Sequence, residues 1–345
     1  MPEPPLDTAA TGSDQALIAR IRQLTAAMRP QPTGLRPEIA PLDGIRAVLF
    51  DVYGTLVMSG CGDIGLTSQR AGEPTQLQAA QQVRQQTGQQ TDQQTDQQER
   101  GQTGEQGAQP IGQINLLRAL TAAGAGIASV PRHFDGAQAL RETIAVHHTR
   151  SRAGGIDYPE VDILEVWGDL LARIGLKHTV SDIRCIALEY ELLSNPVWPM
   201  PGLNDLIDAL SRRGTVLGIV SNAQFYTPLM LTAFLGCDLA TAGFDPRCCA
   251  WSFRHRVGKP STRLFRPVLA ALREHHAIAP NQVLYIGNDL RNDIWPASQL
   301  GCRTALFAGD ARSLRLREQD ADLHGLQPDR VLTALEQIVL NLLPK

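Results

Sequence analysis

The stretch IRAVLFDVYGTL, residues 45–56, carries the pattern that decides the fold. Its first six residues form a nearly continuous apolar run, which is typical of a strand buried on both faces of a parallel sheet. Asp51 follows that run directly, and Gly54 allows the next main-chain amides to approach an anion. The stretch predicts a carboxylate nucleophile at a strand end, beside a loop that can hold a phosphate group, although an Asp before Gly-Thr is also common in ordinary turns.

Strands and helices alternate in the second half of the chain. Apolar segments at 215–222, 249–253, 283–289 and 303–307 predict strands, and the segments between them have the apolar spacing of helices. A final helix is expected at 329–343. Such alternation is typical of right-handed βαβ units. We therefore predict an α/β fold with a Rossmann-like, doubly wound parallel sheet as its core.

The chain also divides into segments of different composition. Residues 1–43 are expected to form an N-terminal tail and a short helix. Residues 66–110 are rich in glutamine, and we predict disorder there because a polar low-complexity segment cannot offset its ordering entropy. Helical patterns at 111–199 predict a helical cap domain. The core would then be assembled from 44–60 and 200–345, with the cap inserted between them.

Composition excludes several classes of protein. The net charge of −3 provides no basic surface for nucleic acid, and no apolar run reaches the roughly 20 residues of a membrane helix. The amino terminus lacks a secretory signal, and the six cysteines contain no Cys-x-x-Cys pair. We expect a cytoplasmic protein without nucleic-acid or membrane partners. The sequence does not indicate an oligomeric state.

Three further motifs follow predicted strands. Ser221 and Asn222 end one strand and offer polar groups to a phosphoryl oxygen, although Ser at this position would also cap a helix. Lys259 lies in the rigid segment VGKPS, where an ammonium could neutralise a phosphate, although most lysines are simply exposed. Asp289 and Asp293 are spaced four apart and suit Mg²⁺, or could cap a helix. Ligands of open α/β sheets bind at the carboxyl ends of strands, so the four motifs should converge.

Taken together and in this order, the four motifs resemble those of the haloacid dehalogenase superfamily. The resemblance covers about 45–60 and 200–310, and it implies a Rossmann-like core with a mobile cap that excludes water during turnover. It implies a catalytic set of Asp51 as the nucleophile, Tyr53 at the position of the expected proton carrier, and Lys259 beside them. The substrate-binding residues implied are Gly54, Thr55, Ser221, Asn222 and Lys259. The Mg²⁺ ligands implied are Asp51, the main-chain carbonyl of Tyr53, Asn288, Asp289 and Asp293.

Tyr53 departs from the pattern of the superfamily's phosphatases. Those enzymes usually carry Asp at this position as general acid and base, and a phenol of pKa ~10 is a poor base at neutral pH. The superfamily's dehalogenases do have Tyr there, which leaves open an attack by Asp51 on a carbon that bears halide, through an aspartyl ester. Those dehalogenases need no metal and lack the acidic pair, whereas Asp289 and Asp293 remain here. We therefore favour a Mg²⁺-dependent phosphohydrolase that acts on a small phosphorylated metabolite through an aspartyl-phosphate on Asp51.

Two features of this expected site are open. The usual Gly-Asp of the fourth motif appears as Gly287-Asn288-Asp289, so either Asn288 takes the metal position or the register shifts to Asp289. We favour Asp289 because the shift preserves a carboxylate ligand. Three explanations for the missing proton carrier are open. The leaving group could depart unprotonated, or the cap could supply the acid. The protein could also be a binding or regulatory module that is catalytically weak. The cap candidates are His147, His148, Tyr158 and Glu160.

Overall fold

The computed structural model describes residues 12–61, 111–127, 130 and 134–343. The Gln-rich segment 66–110 lies outside these residues, as does the chain before residue 12. The described part begins with a helix, α1 (Gly12–Leu24), where a short helix is predicted. Its buried residues Leu17, Ile18 and Ile21 join the main hydrophobic core.

The described residues form eight strands. They are β1 (Ala47–Phe50), β2 (Val57–Ser59), β3 (Val197–Pro199), β4 (Val216–Ser221), β5 (Phe244–Trp251), β6 (Val283–Gly287), β7 (Arg303–Phe307) and β8 (Arg330–Leu332). Six of them make a parallel sheet in the order β5-β4-β1-β6-β7-β8. β1 is fully buried between β4 and β6, which is why its sequence is a continuous apolar run. The predicted α/β, doubly wound fold is confirmed.

The strand order reverses at β1. From β1 the chain builds outward through β4 and β5 on one side, and through β6, β7 and β8 on the other. In a doubly wound sheet, the crevice for a ligand opens at the carboxyl ends of the strands where the order reverses. Asp51, the residue after β1, therefore lies at the expected position for a reactive group.

Helices lie on either side of this sheet and in the segment inserted after β2. The inserted helices are α2 (Ile111–Ala122), α3 (Gly136–Ala153), α4 (Ile163–Arg173) and α5 (Val180–Ser194). The helices of the core are α6 (Leu203–Arg212), α7 (Tyr226–Leu235), α8 (Ser252–His255), α9 (Arg266–His276) and α10 (Trp295–Gln299). None of the helices in the described ranges has the length and apolar character needed to cross a bilayer.

The four inserted helices form the cap domain. Hydrogen bonds between side chains and main-chain amides explain where two of them, α4 and α5, begin. The Asp162 side chain accepts from the Leu164 amide at the start of α4, and Thr179 forms a capping box with Asp182 at the start of α5. α4 packs against α3 and α5 through an apolar face that includes Trp167. β2 and β3, which the sequence analysis did not predict, pair antiparallel where the chain leaves and re-enters the core.

The helix predicted at 329–343 is present only in its second half. The segment begins with β8, which pairs in parallel with β7, and residues 336–342 are helical, with Ile338–Leu342 in π-helical geometry. Asp329 accepts a hydrogen bond of 2.8 Å from the main-chain amide of Thr304, near the start of β7. Leu332 and Leu335 are buried at a spacing that suits a helix, but the open edge of β7 offers strand pairing to this segment.

Candidate active site

The four motifs converge at the carboxyl ends of neighbouring strands. Ser221 ends β4, and its Oγ donates to Asp51 Oδ1 at 2.8 Å. The ammonium of Lys259, in the loop after β5 and α8, donates to the same oxygen at 2.6 Å. All three side chains are buried. The structure thus brings together the nucleophile and two phosphate-binding groups predicted from sequence.

Lys259 also bridges the first and fourth motifs. Its Nζ lies 2.6 Å from Asp293 Oδ1 and 3.2 Å from the Tyr285 hydroxyl. Burial lowers the pKa of Lys259, but the charges of Asp293 and Asp51 outweigh it, and the net shift of the pKa is upward. Burial raises the pKa of Asp293 to about 7, against the opposing effect of Lys259. Lys259 therefore stays an ammonium between two carboxyl groups.

The loop around Lys259 is fixed by Asn222. The Asn222 Oδ1 accepts from the Lys259 main-chain amide at 2.7 Å, and its Nδ2 donates to the Lys259 carbonyl at 3.3 Å. The predicted substrate-binding residue Asn222 thus positions the lysine loop, and it also lines the cavity described below.

The loop after Asp51 requires glycine. Gly54 has φ +84, and a Cβ there would lie 2.5 Å from Ser313 Cβ and 2.6 Å from Asn288 Nδ2. The next residue, Thr55, is fully buried, and its hydroxyl donates to Asn288 Oδ1 at 3.1 Å. Gly54 therefore permits the close approach of the loop after Asp51 to the motif at 287–293. The Thr55 side chain contributes a hydrogen bond between the two.

The contacts of the fourth motif favour Asn288 over Asp289 at the metal position, opposite to the register favoured from sequence. Asn288 Nδ2 donates to the Ser313 carbonyl at 2.6 Å, which leaves its Oδ1 facing the Asp51 loop. Asp289 instead accepts from Arg317 Nη2 at 2.6 Å and from the Arg291 amide at 2.8 Å. Its carboxylate is engaged in an ion pair and in capping the following turn.

Within the described residues, Asp51, Asp289 and Asp293 do not form one metal cluster. In the described part of the chain, the group of three His, Cys, Asp or Glu side chains with donor atoms within 4.8 Å of one another is Asp245, Cys248 and His276. Asp293 is instead bound by Lys259 and by the Asp289 amide. Of the ligands that the resemblance implies, the Asp51 carboxylate, the Tyr53 carbonyl and Asn288 Oδ1 could still hold the ion. These hard oxygens fit Mg²⁺, with a single carboxylate among them.

The surroundings of the Tyr53 hydroxyl do not favour a proton carrier at neutral pH. Its hydroxyl is 3.0 Å from Thr227 Oγ1 in the protein interior. Burial raises the pKa of Tyr53 well above its usual value, and the charge of Glu191 adds to the shift. These surroundings favour another residue as the acid or base of turnover.

A cavity of about 250 Å³ lies between the cap and the core. Lys259 and Asn222 line its core side, and Trp167 lines its cap side. Of the four cap candidates for a proton carrier, His148, Tyr158 and Glu160 line this cavity. His147 is bound to Asp169 at 2.9 Å. Glu191 and Gln224, which no sequence motif singled out, also line the cavity.

The family described as haloacid dehalogenase-like hydrolase matches residues 45–301. No curated protein matches the chain. A predicted phosphoglycolate phosphatase from Haemophilus somnus 129pt is 13% identical, with a TM-score of 0.40, and the match covers 86% of this chain and 98% of that one. The L-2-haloacid dehalogenase from Xanthobacter autotrophicus is 18% identical, with a TM-score of 0.42, over 86% and 97%. A putative HAD-hydrolase from Bacillus subtilis bound to magnesium is 16% identical, with a TM-score of 0.41, over 85% and 96%.

Structural similarities this low carry no argument about what the chain acts on. The family match is different, because it spans most of the chain and includes all four motifs around Asp51. The chain belongs to the haloacid dehalogenase-like hydrolase family.

Proposed function

We propose that this hydrolase is a Mg²⁺-dependent phosphohydrolase that acts on a small phosphorylated molecule through an aspartyl-phosphate on Asp51. The observation that carries the proposal is the asymmetry of the Asp51 carboxylate. Its Oδ1 is held by Ser221 and Lys259, whereas Oδ2 receives no hydrogen bond from the residues the structure describes. One oxygen is thereby anchored, and the other keeps its lone pairs for attack.

The surrounding charges suit a phosphoryl group. The Lys259 ammonium stays charged and offsets the negative charge of the incoming phosphate, while the Ser221 hydroxyl orients the nucleophile. Attack by Asp51 Oδ2 on phosphorus forms the aspartyl-phosphate and releases the alcohol. Attack by water on phosphorus then returns the carboxylate and releases inorganic phosphate. Bound Mg²⁺, held by Asp51, the Tyr53 carbonyl and Asn288, would neutralise charge on the transferred group.

A second candidate is hydrolysis of a 2-haloacid through an aspartyl ester. Two observations favour it: Tyr53 occupies the position of the usual acid, and the metal donors include the neutral amide of Asn288. Halide leaves without a proton, so this reaction needs no acid for the first step.

Phosphate release from 4-nitrophenyl phosphate, with Mg²⁺ or with EDTA, separates the candidates. We expect Mg²⁺-dependent release that Asp51→Asn abolishes and that the exposed control Asp43→Asn leaves unchanged. Mass spectrometry of quenched protein should detect phosphate on Asp51. Release of chloride from 2-chloropropionate without metal would instead establish the second candidate. Absence of turnover on both substrates would favour a binding or regulatory module.

A further inference from the structure

The segment that enters α4 runs beside the loop that carries Lys259. Pro159 forms an antiparallel bridge with Val257, and the Gly258 amide donates to the Tyr158 carbonyl at 2.8 Å. The Glu160 amide donates to the Arg256 carbonyl at 3.1 Å. These main-chain bonds hold Glu160 next to the lysine loop.

The Glu160 side chain is hydrogen-bonded, directly and through Ser252, to the loop that follows Ser221. Its Oε2 accepts from Ser252 Oγ at 2.8 Å, and Ser252 Oγ in turn accepts from the Ala223 amide, just after β4, at 2.8 Å. Its Oε1 accepts from Gln224 Nε2 at 3.3 Å and from the Val161 amide at 2.9 Å. The carboxylate is therefore fixed between the two loops that carry Ser221 and Lys259.

Glu160 lines the same cavity as Lys259 and Asn222. Burial raises the pKa of Glu160 to about 7, while hydrogen bonds from Ser252 and Val161 oppose the shift. A carboxyl group with this pKa is present in both protonation states near neutral pH, as acid–base catalysis requires. Arg256 and Tyr226 interact electrostatically with Glu160. The other titratable and charged groups that line the same cavity are Arg141, His148, Arg152, Asp157, Tyr158, Tyr190, Glu191 and Lys259.

We infer that Glu160 carries the protons of the reaction on Asp51, a role that the surroundings of Tyr53 do not favour. The inference rests on the proposed phosphohydrolase function. As Asp51 Oδ2 bonds to phosphorus and the P–O bond to the leaving group breaks, protonated Glu160 transfers its proton to the departing oxygen. Glu160 carboxylate then takes a proton from the water that attacks phosphorus, and the P–O bond to Asp51 breaks. Each cycle returns Glu160 to its protonated form.

Contacts distinguish Glu160 from the other cap candidates. Tyr158 is 37% exposed, and burial lowers the pKa of His148, which favours its neutral form. His147 is bound to Asp169. Glu160 is the candidate whose side chain and main chain are bonded to both loops of the phosphate-binding site.

The test compares Glu160→Gln with Glu165→Gln, a matched control in which an exposed partner of Arg256 changes while the cavity wall is kept. Substrates are phenyl phosphate, a poor leaving group, and 4-nitrophenyl phosphate, a good one. We expect Glu160→Gln to lower kcat on phenyl phosphate about 10²–10⁴-fold. On 4-nitrophenyl phosphate it should give one rapid burst of nitrophenolate per enzyme and then stall, with phosphorylated protein detected by mass spectrometry. Loss of a merely structural contact would produce no such burst.

Two further measurements complete the test. The kcat of the wild type against pH should show an ionisation near 7 that Glu160→Gln removes. Glu160→Asp should recover part of the rate. Equal rates for Glu160→Gln and Glu165→Gln would overturn the inference. A wild-type pH profile without that ionisation would also overturn it, and this second measurement does not require Glu160→Gln to fold. A wild type that releases no phosphate from either substrate would instead refute the proposed phosphohydrolase function.

Discussion

Replacing Lys259 with methionine removes the ammonium that lies between Asp51 and Asp293. The Nζ is 2.6 Å from an oxygen of each carboxyl group. Coulomb's law at an effective dielectric constant of about 20 assigns roughly 6 kcal/mol to each such pair. Burial of the charges offsets much of this, and losing one member of a buried ion pair costs about 3–5 kcal/mol in free energy of unfolding. We expect Lys259→Met to lose about that much stability at pH 8.

The loss should depend on pH because Asp293 titrates. Burial raises the pKa of Asp293 to about 7 in the folded protein, above its ordinary value near 4. The folded state therefore binds more protons than the unfolded state between about pH 4 and 7, and this group's contribution to stability falls as pH rises through that window. At pH 5.5 Asp293 is neutral with or without Lys259. At this pH Lys259→Met removes one charged contact rather than two. Its loss in free energy of unfolding should therefore be about half of the loss at pH 8.

Urea denaturation at pH 8 and pH 5.5, in EDTA, measures both quantities. Lys177→Met, at an exposed position of the cap, is the control and should change the free energy of unfolding by less than about 0.5 kcal/mol. Adding Asp293→Asn to Lys259→Met should recover stability at pH 8. The electrostatic account is refuted if the deficit at pH 5.5 equals or exceeds that at pH 8, or if the double variant is no more stable than the single one.

Three other substitutions test the first and fourth motifs. Tyr53→Phe should lower the free energy of unfolding by about 1 kcal/mol, because it removes the hydrogen bond to Thr227. It should leave kcat on 4-nitrophenyl phosphate within about twofold of the wild type, and a larger fall in kcat would indicate that the phenol carries protons. Asn288→Asp should tighten Mg²⁺ binding on the order of tenfold by calorimetry, because it adds a second carboxylate, and unchanged affinity would place the ion elsewhere. Asp289→Asn should cost about 1 kcal/mol through its ion pair with Arg317 and leave Mg²⁺ affinity unaltered, whereas weaker binding would restore the register favoured from sequence.

The sequence by itself determined the central strand of the sheet and the position of Asp51, the candidate nucleophile, at its end. An apolar run followed directly by Asp51 and Gly54 is a local pattern, and it predicts a buried parallel strand with a reactive group at its end. The convergence of Ser221 and Lys259 on Asp51 was likewise predictable, because parallel strands bring their carboxyl ends to one edge.

Only the tertiary structure decided which groups each polar side chain meets. The sequence favours Asp289 over Asn288 as a metal ligand, but Arg317, which lies 28 residues further along the chain, pairs with Asp289. Burial raises the pKa of Glu160 to about 7 because two loops distant in sequence enclose it. Apolar spacing could not distinguish a helix from β8, since the choice depends on the open edge of β7. Local patterns determine an element, but pairing and burial depend on contacts that sequence spacing does not contain.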